Sequence, residues 1–319
     1  MMSEYTIMSY NIENMKKLFY KGKFHPEAQE RAGHIASTIM KYSPHILGIV
    51  EASDKVTNHE YFIENTSLSG PGYKIAKSAH RRGKQDLVYY YREPFDPVSL
   101  DAGYEFYEPW IEDIDSDGIK EVFEFERKPL EAVFRITGTD IQLMIILVAA
   151  KSKGVFYSND LINHEHLAIA NRKKLLAQAG RIRMRVESLL DSDPAVPLIV
   201  MGDFNDDPGM DSYERFLGAS SVETVMGSIY EPDRILHNAL WHITKTDRAK
   251  ELWTMAYPDL IIRNMDLHRA WLDHIFISPG MLDQSAVLKY VMDSGQIAEK
   301  DEAAAAASDH FPVYCTLAV

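Results

Sequence analysis

A carboxylate and an amide follow an apolar segment near the middle of the chain. Asp203 and Asn205 lie two residues apart, after Pro197-Leu198-Ile199-Val200, and Gly202 precedes them. We expect the strand to stop at Gly202, so that both side chains point into one cleft. There they could hold a hydrated metal ion or an attacking water. Taken alone, however, the segment is only a plausible turn.

Other carboxylate or amide positions end other apolar segments. They are Asn11, Glu51, Asp273 and the pair Asp309-His310. A single Glu at a strand end is usually solvated, and an Asp-Asn pair often just closes a turn. The hypothesis of one shared site therefore depends on the whole set.

The elements that must position these residues begin with a strand, a helix and a strand. Tyr5–Tyr10 and Ile46–Val50 are predicted to be strands. Between them, apolar residues recur from 28 to 39 at the spacing of one helix face. This order is typical of a βαβ-like opening.

The rest of the chain continues as a mixed α/β pattern. Strands are predicted near Leu87–Tyr91, Val122–Phe125, Glu131–Ile136, Ile141–Val148, Leu272–Ser278 and Val313–Val319. Gly138-Thr139-Asp140 is predicted to be a hairpin turn, and Asn159–Leu190 a long helix with Ser158, Asn159 and Asp160 as candidate caps. Residues 211–270 are interpreted as short helices and loops inserted before the next strand. No repeat or linker divides residues 1–319, so one domain is expected.

Composition limits the classes of protein that fit. The chain is 46% hydrophobic and 25% charged, which is ordinary for a globular protein. Its longest uncharged apolar run, Leu143–Ala150, is too short to cross a bilayer. The first ten residues lack the features of a secretory signal, and Cys315 has no cysteine to pair with, so a cytoplasmic location is expected.

The net charge of −13 repels polyanions, so any nucleic-acid surface must be local. Candidate basic segments are Arg81-Arg82-Gly83-Lys84, Arg172-Lys173-Lys174, and Arg181, Arg183 and Arg185. Solvated helix or loop faces are the alternative interpretation of all three.

Five segments in this order resemble the endonuclease/exonuclease/phosphatase superfamily, which includes pancreatic-type deoxyribonucleases, abasic-site endonucleases, sphingomyelinases and inositol polyphosphate phosphatases. They span the chain, and together they are far more specific than any one alone. The segments are Ser9-Tyr10-Asn11-Ile12-Glu13-Asn14, Gly48-Ile49-Val50-Glu51, Gly202-Asp203-Phe204-Asn205, Leu272-Asp273-His274-Ile275-Phe276 and Ser308-Asp309-His310-Phe311-Pro312.

The resemblance implies a four-layered α/β sandwich, with two facing mixed β-sheets flanked by helices. It also implies a divalent cation, Mg²⁺ or Mn²⁺, and hydrolysis of a phosphate ester by water. By resemblance, Glu51 is the principal metal ligand, with Asn11 and Asp309 beside it. Asp203 and Asn205 position the nucleophilic water, and Asp273 and His310 form a carboxylate–imidazole pair.

The chemistry agrees with these residue types. Mg²⁺ takes hard oxygen ligands and needs only one or two carboxylates from the protein. A cation and placed donors stabilise the charge that develops in phosphoester hydrolysis. The sequence leaves open whether Asp203 or His310 accepts the proton of the water.

One position departs from the family pattern. The family usually has His-x-Lys-Ser after its central strand, and this chain reads Ala149-Ala150-Lys151-Ser152. Alanine can neither contact the phosphate nor protonate a leaving group. The loss of such a group typically lowers the reaction rate by about 10²–10⁴-fold. Ala149 is either an introduced inactivating substitution or a natural variant in which Lys151 or a substrate group takes over.

Two groups of residues are secondary candidates. Arg172, Ser152 and Arg127 are expected to contact the substrate, with a solvated face as the alternative for the arginines. Asp113, Asp115, Asp117 and Glu124 have the spacing of a calcium loop around Gly118, with an acidic hairpin tip as the alternative.

We therefore predict a metal-dependent phosphoester hydrolase, most simply a phosphodiesterase or nuclease. A nucleic acid or nucleotide is the favoured substrate, and a small or lipid phosphate ester is the alternative. A catalytically dead protein that binds a phosphorylated ligand also stays open because of Ala149. The sequence predicts no oligomeric state.

Overall fold

The computed structural model describes residues 3–80, 85–155, 160–258 and 267–319. The strands among them are β1 (Glu4–Asn11), β2 (Phe19–Tyr20), β3 (Lys23–Phe24), β4 (Ile46–Ala52), β5 (Lys74–Ala76), β6 (Asp86–Tyr91), β7 (Phe95–Leu100), β8 (Trp110–Glu112), β9 (Glu121–Phe123), β10 (Leu130–Ile136), β11 (Gln142–Ala149), β12 (Leu198–Asp203), β13 (His237–Asn238), β14 (Met255–Pro258), β15 (Leu267–Ala270), β16 (Asp273–Ile277), β17 (Lys289–Tyr290), β18 (Gln296–Ile297) and β19 (Val313–Ala318).

The helices of the same residues are α1 (Gln29–Tyr42), α2 (Val56–Glu64), α3 (Leu161–Ser192), α4 (Glu214–Leu217), α5 (Ser221–Met226) and α6 (Glu302–Ala307). Short 3₁₀ helices lie at Met15–Leu18, Pro26–Ala28, Ser67–Ser69, Tyr104–Tyr107, Pro232–Arg234, Trp241–Lys245, Asp247–Glu251 and Pro279–Met281.

Two large mixed sheets form the centre of the molecule. In the first sheet the strand order is β17-β19-β1-β4-β6-β5, and β18 pairs with β19. In the second sheet the order is β13-β16-β12-β11-β10-β7. The parallel neighbours are β1 with β4 and β11 with β12, each joined by a helical excursion.

The inner faces of the two sheets pack against each other. Their shared core includes Ile7 and Leu87 from the first sheet and Ile145 and Ile199 from the second. Side chains alternate between the two faces of a strand, so the next residue along each strand points outward. Each sheet therefore has a second apolar face, which needs helices to cover it.

Helices cover both outer faces. The outer face of the first sheet packs on α1 and α2, where Met8 and Tyr90 meet Ile35 and Phe62. The outer face of the second sheet packs on α3 and α5, through residues such as Ile182 and Val225. This arrangement confirms the prediction of a four-layered α/β sandwich with two facing mixed sheets.

Most of the predicted elements are present with shifts of one to three residues at their ends. The long helix begins at Leu161, with Asp160 accepting a hydrogen bond from the backbone N–H of Asn163 as its N-cap. Ser158, Asn159 and the basic segment 81–84 lie outside the described residues. Between 211 and 258 the chain forms the short elements α4, α5, β13 and β14 with 3₁₀ turns.

Edge strand β7 is a finding that the sequence did not predict. It contains Pro97 and, among the described strands, pairs with β10 alone, with a shift of register between Val133 and Phe134. Proline cannot donate to a β-ladder and is confined to edges and bulges, so this strand carries a weak sequence signal.

The prediction that the strand before Asp203 stops at Gly202 is wrong. β12 continues through Gly202 to Asp203, paired with β11 on one side and β16 on the other. Gly202 has φ 142°, and a Cβ there would lie 2.0 Å from the carbonyl oxygen of Val148. Only glycine allows the two strands to approach this closely at the carboxyl end of the sheet.

In the described part of the chain, no helix is long and apolar enough to cross a membrane.

Replacing Gly202 by alanine should destabilise the fold by about 3 kcal/mol or more, because the backbone conformation is strained and the methyl group collides with β11. Gly33→Ala is the matched control. Its Cβ would meet nothing within 4 Å in α1, so it should stabilise the protein by about 0.5–1 kcal/mol. Urea denaturation measures both, and equal stability of the two variants would contradict the assignment.

Candidate active site

Three predicted site residues meet where strands of the two sheets end. Asn11 ends β1 in the first sheet, and Asp203 ends β12 in the second. The Asn11 side-chain amide donates a hydrogen bond to Asp203 Oδ2 over 3.0 Å, between residues 192 positions apart. Asp273 pairs directly with Asp203 across β12 and β16, so their side chains share one face. The site therefore bridges the two sheets.

His310 completes this buried group. Its Nδ1 lies 2.7 Å from Asp273 Oδ2, and its Nε2 lies 4.0 Å from Asp203 Oδ2. The residues Asp203, Asp273 and His310 are each at most 4% exposed. Ligand atoms of all three lie within 4.8 Å of one another, close enough for a metal ion.

The electrostatics of the group favour a protonated imidazole. Burial alone would lower the pKa of His310, but the carboxylates of Asp273 and Asp203 outweigh it and raise the pKa to about 10. Burial also raises the pKa of Asp203 to about 6, although the charge of His310 opposes the rise. A protonated imidazole has no lone pair to offer a metal, so at neutral pH His310 itself supplies the positive charge between the two carboxylates.

Glu51 reaches the site from a bulge in β4. The pairing of β4 with β6 shifts between Ile49 and Ala52, and Glu51 has φ 61°, a left-handed conformation that is unusual for glutamate. Bulges redirect a side chain at the end of a strand. Glu51 Oε2 accepts hydrogen bonds from the backbone N–H of Asn14 (2.8 Å) and from the Gln85 side chain (2.5 Å).

Arg127 is placed at the same end of the site. Its guanidinium donates to the Gln85 side-chain oxygen over 2.8 Å and lies 3.6 Å from Glu51 Oε1. Its charge also lowers the pKa of Asp203, as one of the smaller contributions. Sequence reasoning did not identify Gln85, because no motif marks an amide that links an arginine to a strand-end glutamate.

Asp309 is exposed at the edge of the site. Partial loss of solvation raises the pKa of Asp309, and the carboxylates of Glu13 and Glu51 raise it further. The negative charges of Glu13 and Glu51 thus disfavour the charged form of Asp309. Grouped carboxylate oxygens are the hard donors that a divalent cation prefers, so the residues around Glu51 suit such an ion.

Asn205 is fixed on Asp203. Its backbone N–H donates to Asp203 Oδ1 (2.9 Å), and its side-chain amide donates to Asp203 Oδ2 and to the carbonyl of Ala150, each at 3.1 Å. Ala149 pairs directly with Asp203 in the sheet. A larger side chain at 149 would therefore lie on the face that holds the carboxylates.

The structure places Lys151, Ser152 and Arg172 away from this group. Lys151 Nζ pairs with Glu126 at 3.1 Å, and Ser152 Oγ accepts the backbone N–H of Gly154. Arg172 forms two contacts of 2.7 and 2.8 Å with Asp211. Among the described residues, none of the three contacts Asp203, Glu51 or His310.

A buried ion cluster under the site was missed from the sequence. Lys153 forms ion pairs with Asp206 and, at 2.7 Å, with Glu214. Asp206 is fully buried three residues after Asp203, and its backbone carbonyl oxygen accepts a hydrogen bond from His274 Nε2 over 3.0 Å. Lysine, aspartate and glutamate residues in loops are usually exposed to solvent, so the sequence alone did not indicate this buried ion pairing.

The acidic loop is the tip of the β8–β9 hairpin. Asp113, Asp115 and Asp117 lie together, but Glu124 does not join them in the described structure. Lys173 Nζ lies 2.7 Å from Asp115 and 3.0 Å from Glu121. An ammonium group therefore lies where a calcium ion would have to bind.

Asp273→Asn should lower the pKa of His310 by at least about one unit. Burial disfavours the protonated imidazole, and in this variant the carboxylate of Asp273 no longer compensates that effect. Titration of the His310 ring resonances by NMR measures this, with Asp140→Asn in the exposed hairpin turn as the control. An unchanged pKa in Asp273→Asn would show that Asp273 does not hold the proton.

Comparison with known proteins gives the same picture. Residues 8–310 match the model of the Endonuclease/Exonuclease/phosphatase family. No curated protein matches the chain.

Solved structures share the fold at low sequence identity. Truncated Caenorhabditis elegans TDP2 is 14% identical with a TM-score of 0.56, over 99% of this chain and 98% of that one. D. rerio TDP2 complexed with single strand DNA product is 14% identical with a TM-score of 0.55, over 99% of both chains. The human Nocturnin catalytic domain with bound sulfate anion is 15% identical with a TM-score of 0.51, over 98% of this chain and 94% of that one. The chain belongs to the endonuclease/exonuclease/phosphatase family, whose members are divalent-metal-dependent hydrolases of phosphoester bonds.

Proposed function

We propose that the protein is a phosphodiesterase that cleaves a P–O bond with a water activated at Asp203. The observation that carries the proposal is the contact set of this carboxylate. Asp203 is held by Asn11 and Asn205 and faces His310 at 4.0 Å. A fixed base beside a cation is the arrangement that hydrolysis of a phosphate ester needs.

Asp203, and not His310, is the proposed proton acceptor, a choice that the sequence left open. His310 is held in its protonated form by Asp273, so it can donate to a phosphoryl oxygen but cannot accept a proton. The raised pKa of Asp203, about 6, leaves it ionised at neutral pH yet more basic than an ordinary aspartate. Asp203 therefore takes the proton of the water, and Asn205 orients a phosphoryl oxygen.

Glu51 is the proposed principal ligand of a Mg²⁺ or Mn²⁺ ion, with Asp309 and Asn11 beside it. When bound, the ion supplies positive charge that stabilises the developing charge on the phosphate. Gln85 and the Asn14 backbone N–H fix the orientation of the Glu51 carboxylate, and Arg127 balances its charge. These contacts are of the kind that tune ligand affinity in metal sites.

A single-stranded nucleic acid or a nucleotide is the proposed substrate. The D. rerio TDP2 structure of the same fold holds a single strand DNA product. The net charge of −13 opposes a long duplex contact, because duplex binders neutralise many phosphates at once. A small phosphate ester is the second candidate, because one fold carries many different substrates.

The Asp113–Asp117 loop is not proposed as a calcium site, because Lys173 lies among its carboxylates.

Ala149→His should raise the rate of phosphodiester hydrolysis by about 10²–10⁴-fold, because it adds a donor beside Asp203 on the phosphate-facing side of the sheet. Hydrolysis of bis(p-nitrophenyl) phosphate and of single-stranded DNA, with Mg²⁺, Mn²⁺ or chelator, measures this. The double variant Ala149→His, Asp203→Asn is the control and should return to background.

Background turnover in Ala149→His with every substrate and metal would contradict the proposal. That result would instead support the alternative raised by Ala149, a protein that binds a phosphorylated ligand without cleaving it.

Glu51→Gln should weaken Mn²⁺ binding at least about tenfold, since a neutral amide replaces the main anionic ligand while the neighbouring hydrogen-bond donors remain. Isothermal titration calorimetry measures the change. Glu64→Gln, on the exposed end of α2, is the matched control and should bind like the wild type. Equal Mn²⁺ affinity in both variants would show that Glu51 is not a ligand of the ion.

A further inference from the structure

A basic cavity of about 470 Å³ lies between the segment 243–253 and residues 297–300. Its lining includes the cations Arg248, Lys250, Arg269 and Lys300 and the aromatic ring of Trp253. Neither the motifs of the sequence nor the active site described above accounts for it.

The cavity has an excess of positive charge. Its two carboxylates already have partners, because Glu251 pairs with Arg248 at 3.2 Å and Glu299 pairs with Lys41 at 2.9 Å. Within residues 3–80, 85–155, 160–258 and 267–319, neither Arg269 nor Lys300 forms an ion pair. A positive pocket is unexpected in a chain with a net charge of −13.

Trp253 holds two of these cations in place. Lys300 Nζ lies 4.5 Å from the centre of its ring and the Arg269 guanidinium carbon lies 5.0 Å from it. Lys300 also donates to the carbonyl of Glu251 over 3.0 Å. The ring therefore attracts both cations to one wall of the cavity.

The crowding of these cations has an electrostatic cost. Burial, with smaller contributions from Arg248 and Arg269, lowers the pKa of Lys300 to about 8 against the opposing effect of Glu251. A bound anion would relieve this repulsion, which gives the cavity a preference for negatively charged groups.

One wall residue of the cavity, Trp253, packs beside residues of the active site. Trp253 packs edge-on against Phe311, with ring centres 5.3 Å apart, and Phe311 directly follows His310. Thr254, which follows Trp253 in the chain, accepts a hydrogen bond through its hydroxyl oxygen from the backbone N–H of Asp273 over 3.1 Å. One layer of residues therefore separates the cations from the Asp273–His310 pair.

We propose that this cavity is a phosphate-binding subsite, which holds a phosphate group of the substrate other than the one that is cleaved. The inference rests on the proposed function, because it assumes that a phosphate ester is cleaved beside His310. A second phosphate can come from the neighbouring phosphodiester of a nucleic-acid strand or from a small ester with two phosphates. Lys300 and Arg269 are its principal contacts.

The kinetic test compares substrates with one and with several phosphates in the Ala149→His protein. The double change Lys300→Met, Arg269→Met should raise the ratio of KM for a single-stranded oligonucleotide, or for a 5′-phosphorylated dinucleotide, to KM for bis(p-nitrophenyl) phosphate by roughly 10-fold. A rise with the oligonucleotide alone identifies the strand as the source, and a rise with the dinucleotide shows that a small ester with two phosphates is sufficient. An unchanged ratio with both overturns the proposal.

A binding test separates this proposal from the proposed function. Calorimetry with pyrophosphate as the probe, in the presence of chelator, should show binding to the wild type that weakens roughly 10-fold in Lys300→Met and is retained in Lys300→Arg. Lys174→Met, on an exposed position of α3, is the matched control.

Pyrophosphate binding that is equal in Lys300→Met and Lys174→Met overturns the subsite. If the protein hydrolyses nothing but Lys300→Met still loses pyrophosphate, the proposed function fails and the anion site stands.

Discussion

The burial of Asp203 is the constraint on which the site depends. A buried carboxylate is costly unless hydrogen bonds and an opposite charge compensate it. Asn11 supplies a hydrogen bond from the first sheet, Asn205 supplies two from the adjoining turn, and His310 supplies charge at 4.0 Å. Because these partners come from distant parts of the chain, the carboxylate can be satisfied only when the two sheets are packed in this register.

Two residues of the site also have strained backbone conformations. Glu51 and Asn205 both have left-handed backbone conformations, at φ 61° and 52°, which cost about 1–3 kcal/mol each. The cores on both sides of the sheets hold these residues in place. The cationic cavity beside Trp253 differs, because its cations repel one another and the proposed anion would relieve that repulsion.

Sequence periodicity predicted the strands and helices whose apolar faces are regular, such as β1, α1 and β11, because burial on one face leaves a repeating pattern. Strand-end residues and their order predicted which side chains meet at Asp203. Sequence periodicity could not predict the partners of Arg172 or Lys153. Their partners, Asp211 and Asp206, lie in an irregular loop whose conformation leaves no repeating pattern in the sequence. Gly202 was misjudged because a glycine needed for close packing of strands looks the same in sequence as one that ends a strand.

We propose that side chains from both sheets converge on one cation beside the phosphate that reacts. Anomalous scattering from a crystal grown with Mn²⁺ would locate that cation. We expect a peak about 2.1 Å from a Glu51 carboxylate oxygen, beside Asp203 and His310. A peak only among Asp113, Asp115 and Asp117, or none within reach of Glu51, would contradict it.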